Sequence, residues 1–120
     1  MTIITPKNAI MKRYALALDL KNDPALITAY EEWHRKVWPE ILQSIRESGI
    51  ENMEIYRTGN RLFMIMETAD DFSFEAKAEA DDHNSKVQEW ETLMWKYQEP
   101  LPWAQPGQKW VLMDKIFSLP

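Results

Sequence analysis

Apolar and polar residues alternate in three segments of the chain, as they do in half-buried β-strands. In the first segment, KRYALALDL, the alternating apolar residues include Leu16, Leu18 and Leu20. The second and third, IENMEIYRT and RLFMIMET, flank the dipeptide Gly59-Asn60, which is typical of a tight hairpin connection. We therefore predict one strand, followed later by an antiparallel pair.

A period of three to four residues predicts a helix between these strands. It begins after KNDP, where Asn22 or Asp23 can cap the N-terminus and Pro24 occupies the first turn. It runs to about Glu47. Because proline removes one backbone hydrogen bond, Pro39 should bend or interrupt this helix.

The last part of the chain is predicted as helix, loop and a closing strand. Helix formers over residues 70–80 and the apolar spacing in SKVQEWETLMWKYQ predict one or two helices. EPLPWAQPG is proline-rich and predicts a loop, and QKWVLMDKIF (residues 108–117) predicts the last strand. The order β-α-β-β-α-β is that of a ferredoxin-like α+β domain, with helices on one face of a four-stranded antiparallel sheet.

The other face of such a sheet has no helix to cover it. Met53, Phe63, Ile65 and the six tryptophans cannot all be buried under two helices. We therefore expect a second copy of the chain to cover this face in a two-fold homodimer, giving a dimeric α+β barrel. The pattern does not say which alternate residues of the third strand face the partner.

Length and composition are typical of one globular domain. The chain has 120 residues, and we assign residues 1–10 to an irregular lead and residues 11–120 to the domain. It shows neither a signal-peptide pattern nor an apolar run of membrane-spanning length, so we expect a cytoplasmic protein without membrane contact. With no cysteine, the chain has no disulfide, thiolate metal site or cysteine nucleophile.

Charge and histidine content narrow the choice of partners. A net charge of −5 argues against a surface that binds nucleic acid. The two histidines, His34 and His83, do not form a pair spaced for zinc, so we predict no metal site.

His34 lies on the apolar side of the first predicted helix. Tyr30, His34 and Trp38 follow one another at intervals of four residues and therefore share one stripe, unless the bend at Pro39 displaces Trp38. This placement fits a hydrogen-bonded core histidine. It also fits an imidazole held beside a pocket for proton transfer, because imidazole titrates near neutral pH. Periodicity does not separate the two.

A resemblance to a known family extends from about Arg13 to the end of the chain. Tyr30, His34 and Trp38-Pro39-Glu40, followed by Trp95-Lys96-Tyr97 and the ending Phe117-Ser118-Leu119-Pro120, resemble the L-rhamnose mutarotase family. The resemblance implies a dimeric barrel of ferredoxin-like subunits. It also implies an isomerase that interconverts the anomers of a 6-deoxy-L-hexose without a metal or organic cofactor.

The same resemblance implies roles for individual residues. His34 matches the family's proton donor, Tyr30 its sugar-contacting tyrosine and Trp95 one sugar-facing tryptophan. We expect the flat apolar face of Trp38 to contact the sugar as well. The general base is left unassigned.

This chain departs from the family pattern at two sugar-binding positions. Met94 stands where the family has the first residue of a tandem Trp-Trp, and Met53 stands where it has a tyrosine in the second strand. Neither position carries the proton donor. The reaction type is therefore unaffected, whereas the substrate can be L-rhamnose or L-fucose.

Two other classes of function fit the same pattern. One is a haem-binding or oxygenase-type enzyme on the same dimeric barrel, in which the helix histidine ligates iron. The other is a module that binds a monosaccharide without catalysing anomer exchange.

Overall fold

The sheet is the centre of the computed structural model, which describes residues 11–120; the predicted lead over residues 1–10 lies outside the described residues. The strands are β1 (Lys12–Leu20), β2 (Ile50–Thr58), β3 (Arg61–Thr68), β4 (Gln98–Glu99) and β5 (Val111–Leu112). All pairs are antiparallel, in the order β2-β3-β1-β4, and β5 also pairs with β1. This order is that of a ferredoxin-like α+β domain, as predicted.

Four helices accompany the sheet. They are α1 (Pro24–Arg35), α2 (Pro39–Glu47), α3 (Phe74–Asp82) and α4 (Ser85–Trp95). The first predicted helix is interrupted, and α2 begins at Pro39. At the first position of a helix a backbone N–H has no hydrogen-bond partner within the helix, so proline costs nothing there. The cap of α1 is Asp23, whose Oδ1 accepts hydrogen bonds from the backbone N–H groups of Ala25 and Leu26. Gly49, at φ 97°, reverses the chain after α2 into β2.

The predicted closing strand over residues 108–117 is wrong in extent. Only Val111 and Leu112 pair with β1. The two-residue strand β4, which falls partly in the predicted helix and partly in the predicted loop, also pairs there. Two short strands thus share one edge of β1. The N–H of Met113 donates to the carbonyl oxygen of Ala15. Beyond Met113, residues 114–120 form neither strand nor helix.

Alternate residues of β3 separate the two faces of the sheet. Leu62, Met64 and Met66 are buried on the side that carries the helices, whereas Phe63 and Ile65 are only half-buried on the opposite side. This settles which residues of the third strand point away from the helices. Among the helices of residues 11–120, none has the length and apolar character needed to span a membrane.

Candidate functional site

A cavity of about 720 Å³ lies between the helices and the helix-bearing face of the sheet. Its wall is mostly apolar and includes Leu16, Ile41, Ile55, Met64, Met66, Val87, Trp90 and Trp110. Polar side chains also reach it, from Tyr30, His34, Ser44, Arg46, Glu51, Asn52, Lys77, Asp81, Glu91, Gln98 and Lys109. A cavity of this size, mostly apolar with convergent polar groups, is typical of a small-molecule site.

His34 is held by the backbone of its own helix. Its Nδ1 lies 2.9 Å from the carbonyl oxygen of Tyr30, one turn earlier in α1. Because a carbonyl oxygen only accepts, Nδ1 carries the hydrogen and donates it. Nε2 is therefore the ring nitrogen available to a substrate. The ring packs against Tyr30, with centroids 4.4 Å apart, and edge-on to Trp90 at 5.7 Å.

Burial determines the charge of His34. Loss of water around the ring lowers its pKa below the usual 6.5, and the hydrogen bond to Tyr30 opposes this effect only in part. The imidazole is therefore mostly neutral at pH 7, with a lone pair on Nε2. Such a group can accept a proton from a substrate, and the imidazolium that forms is then a stronger acid than an exposed one.

The hydroxyl of Tyr30 remains protonated at neutral pH. Burial, as the main cause, raises the pKa of Tyr30 to about 12, and the negative charge of Glu91 adds to the increase. The Nε2 of Gln98 donates to the Tyr30 hydroxyl oxygen over 3.4 Å, which lowers the pKa by more than Glu91 raises it. Tyr30 is thus a neutral hydrogen-bonding group beside His34.

An ion pair also lines the cavity. Lys109 Nζ lies 2.6 Å from Glu91 Oε2 and donates to the backbone carbonyl of Glu91 over 2.9 Å. The same ammonium lies 4.7 Å from the ring centroid of Trp95. Burial lowers the pKa of Lys109, and the Glu91 carboxylate opposes this effect.

The structure brings four of the six predicted site residues together. Tyr30 and His34 from α1, Met53 from β2 and Met94 from α4 all line the cavity. Met53 reaches it because it pairs with Met66 of β3 and so lies on the helix-bearing face.

The other two predicted residues, Trp38 and Trp95, are not among the described residues that line this cavity. Helix α1 ends at Arg35, so the stripe of residues spaced four apart does not continue to Trp38. The Trp38 ring lies with its centroid 5.1 Å from that of Trp90 and lines a shallow depression along α4. Trp95 comes directly after Met94 in α4, and consecutive helical side chains point about 100° apart. It therefore packs on Lys109 instead.

Sequence reasoning missed Glu91, Gln98 and Lys109. Glu91 is adjacent to Trp90 in an otherwise ordinary helix, and Gln98 belongs to a strand of two residues, too short for any period. Lys109 reaches the site only because the loop after β4 returns to α4. No spacing signal identifies such a contact. In residues 11–120, no group of three or more His, Asp and Glu side chains is arranged to hold a metal ion.

Comparison with known proteins relates most of the chain to one family. The family model described as L-rhamnose mutarotase matches residues 13–119. An L-fucose mutarotase of Xanthomonas campestris is 45% identical over 111 residues, which cover 91% of this chain and 89% of that protein. A UPF0734 protein of Dictyostelium discoideum is 37% identical over 114 residues, or 90% of each chain.

Solved structures show the same fold. An L-rhamnose mutarotase from Formosa agariphila superposes with a TM-score of 0.67 at 20% identity, covering 91% of this chain and 99% of that one. The tetracenomycin F2 cyclase of Streptomyces glaucescens gives a TM-score of 0.53 at 20% identity with the same coverage. At this identity the likeness concerns the fold alone. The match of the family model over residues 13–119, together with the L-fucose mutarotase relative, shows that the chain belongs to the L-rhamnose mutarotase family.

Proposed function

We propose that this mutarotase acts on L-fucose and that His34 transfers the proton. Family membership selects a mutarotase, an isomerase of 6-deoxy-L-hexoses, among the three functions considered from the sequence. The observation that carries the role of His34 is its position at the cavity wall, where a hydrogen bond to the Tyr30 carbonyl holds the ring. This bond fixes the ring and leaves Nε2 for the sugar.

Anomer exchange needs an acid and a base at two oxygens of the sugar. To open the ring, the anomeric hydroxyl loses a proton, the ring oxygen gains one, and the bond between the anomeric carbon and the ring oxygen breaks. The aldehyde then turns and closes on its other face with both proton transfers reversed. A group facing either oxygen therefore acts once as base and once as acid in each turnover.

A neutral His34 meets this requirement at one of the two oxygens, and the group at the other oxygen is left unassigned. Its Nε2 takes a proton from the sugar in the first half of the turnover, and the resulting imidazolium is the proton donor in the second half. The lowered pKa of His34 favours the neutral starting form, and return of the proton is easier from a ring that is buried. Tyr30, with its protonated hydroxyl, hydrogen-bonds the sugar beside it.

The preference for L-fucose rests on the two methionines. Met53 and Met94 line the cavity where the family pattern has a tyrosine and a tryptophan, so this chain lacks two hydrogen-bond donors there. The relative that is 45% identical is an L-fucose mutarotase, which supports the same substrate. Trp38 and Trp95 would stack on a sugar only where the substrate extends beyond the cavity. We therefore assign the central contacts to Tyr30, Met53 and Met94.

A two-fold homodimer completes the proposal. On the face without helices, Tyr56, Phe63 and Ile65 form an apolar strip, and Tyr56 is 52% exposed. The ion pair between Asp19 and Arg61 lies at one end of this face. An apolar centre with a charged rim is the usual build of a protein interface.

The C-terminal residues support the same assembly. Ile116, Phe117 and Leu119 are 95%, 73% and 82% exposed, which is costly for a lone protomer. A second copy offers apolar surface to cover them. The cysteine-free sequence is in keeping with the proposed cytoplasmic location.

Saturation-transfer NMR of the anomeric protons tests the proposed activity. We expect the protein to accelerate exchange between the α and β anomers of L-fucose, and that of L-rhamnose less. Exchange at the uncatalysed rate for both sugars, with bound sugar still detectable, would instead identify a binding module.

A further inference from the structure

Gln98 has a buried amide that is only half satisfied. The residue is 4% exposed and lines the cavity. Within residues 11–120, its Oε1 is the single buried side-chain nitrogen or oxygen without a hydrogen-bond partner. Because burying a polar atom without a partner is costly, folded proteins rarely keep one, and it needs an explanation.

The surroundings of Gln98 hold its amide in place. Its backbone pairs with Leu20 of β1, so its side chain lies on the helix-bearing side of the sheet. The other end of the amide, Nε2, already donates to the hydroxyl of Tyr30. If the amide were turned over, Tyr30 would donate to Oε1 and Nε2 would be left instead. In either orientation the same end of the amide is unused, and because that end is buried it meets a ligand only when the side chain turns toward the cavity.

A hydroxyl group suits that unused end in both orientations, because it can donate as well as accept. A methyl group does not, since it would leave the amide unpaired and without water. An apolar surface, which suits a methyl group, is provided by Met53, Met64 and Met66. These residues lie together on β2 and β3 along the same cavity. The cavity thus has a polar end at Tyr30 and Gln98 and an apolar side at these methionines.

We infer that Gln98 binds a ring hydroxyl of the substrate and is a specificity-determining residue. This inference rests on the proposed function and adds to it the orientation of the sugar. The hydroxyl-bearing edge lies toward Tyr30 and Gln98, and the exocyclic methyl lies toward the methionines. A sugar with the opposite configuration at the contacted carbon leaves the amide unpaired and is discriminated against.

Replacement of Gln98 by methionine tests this contact. Methionine has nearly the same length but no strong hydrogen-bonding atom, so Gln98→Met should raise KM for L-fucose about tenfold, the usual value of one hydrogen bond. It should change kcat less and leave the pH dependence of kcat unchanged. Gln43→Met, at an exposed position of α2, is the matched control and should change neither constant.

Analogues of L-fucose that each lack one ring hydroxyl make the test specific. The native protein should discriminate against the analogue that lacks the hydroxyl bound by Gln98, and Gln98→Met should lose that discrimination while keeping any other. The same discrimination in protein and variant would overturn the inference, because Gln98 would then not contact the hydroxyl that is recognised.

A second variant covers a failure of Gln98→Met to fold, which circular dichroism would reveal. Gln98→Leu also removes both hydrogen-bonding ends of the amide without adding a charge, so it should lose the same discrimination between analogues; a folded Gln98→Leu protein that keeps it would also contradict the inference. If the native protein exchanges the anomers of no 6-deoxy-L-hexose, the proposed function itself fails. If the native protein exchanges the anomers normally and the Gln98 variants show the same KM and the same discrimination, only the role of Gln98 is contradicted.

Discussion

At the scale of single residues, two histidines have the same local bond and different surroundings. Nδ1 of His34 lies 2.9 Å from the Tyr30 carbonyl, and Nδ1 of His83 lies 2.8 Å from the Glu79 carbonyl, each one turn back along its chain. His34 lines the cavity, whereas His83 is exposed at the end of α3. The hydrogen bond is therefore not what makes His34 a candidate; its position at the cavity wall is.

Replacement of His34 by alanine should remove catalysis and keep the fold. Anomer exchange should fall by about two orders of magnitude or more, the usual contribution of general acid-base catalysis. NMR exchange rates measure the loss, and circular dichroism checks the fold. His83→Ala, which removes the same kind of bond outside the cavity, should leave the rate unchanged. A folded and fully active His34→Ala protein would return His34 to a purely structural role.

The pH dependence of the rate should report on His34. Since burial lowers its pKa below 6.5, the neutral form that accepts the first proton predominates at pH 7 and is lost as the pH falls through the lowered pKa. We expect kcat/KM for L-fucose to decrease on that acidic limb. A decrease with rising pH in the same range would mean that the imidazolium is the starting form.

Met53 and Met94 should control the choice of sugar and not the proton transfer. Met53→Tyr together with Met94→Trp restores a hydroxyl and an indole N–H at the cavity wall, so exchange of L-rhamnose should rise and that of L-fucose should fall. The limb of the pH profile set by His34 should stay in place. A wide preference of the native protein for L-rhamnose, or a proportional change of both rates, would show that the methionines only fill space.

At the scale of elements, the sequence predicted those that depend on local patterns. Period-two alternation identified β1 to β3, and Pro39 marked the break between α1 and α2. Spacing within α1 placed Tyr30 and His34 together, since the distance between neighbours on one helix is fixed. The strand β4 was missed and β5 was predicted too long because both depend on their position beside β1, which is a long-range contact. Gln98 and Lys109 escaped prediction for the same reason.

The cap of α1 offers a test at this scale. Asp23→Ala removes the side-chain oxygen that binds two backbone N–H groups, and should lower the free energy of unfolding by about 1 kcal/mol. Urea titration measures the change. Asn22→Ala, at the other residue that the sequence offered as a cap, is the control and should cost much less; equal losses would mean that the two residues share the cap.

At the scale of the whole molecule, the two faces of the sheet have different tasks. One face carries the helices and forms one wall of the cavity. The other carries Phe63 and Ile65, which no helix covers. Because the same strands build both faces, the partner in the proposed dimer would support the wall of the cavity from behind.

The proposed dimer should be stable at micromolar concentration. Sedimentation should give twice the mass of the chain, and Phe63→Lys or Ile65→Lys should split the dimer or unfold it, because either places a charge in the apolar strip. Ala80→Lys, at an exposed position of α3, should leave the mass unchanged. A native protein that sediments as a stable monomer would contradict the dimeric barrel.

The indole rings around His34 have an optical consequence. Trp90 lies edge-on to Trp33 and Trp38, with centroids 6.4 Å and 5.1 Å away, and its ring also contacts the His34 imidazole at 5.7 Å. Electronic transitions of indoles this close couple, so the cluster should give a strong near-ultraviolet circular dichroism signal. A protonated imidazole quenches indole emission, so the fluorescence of the unlabelled protein should follow both the titration of His34 and the entry of a sugar.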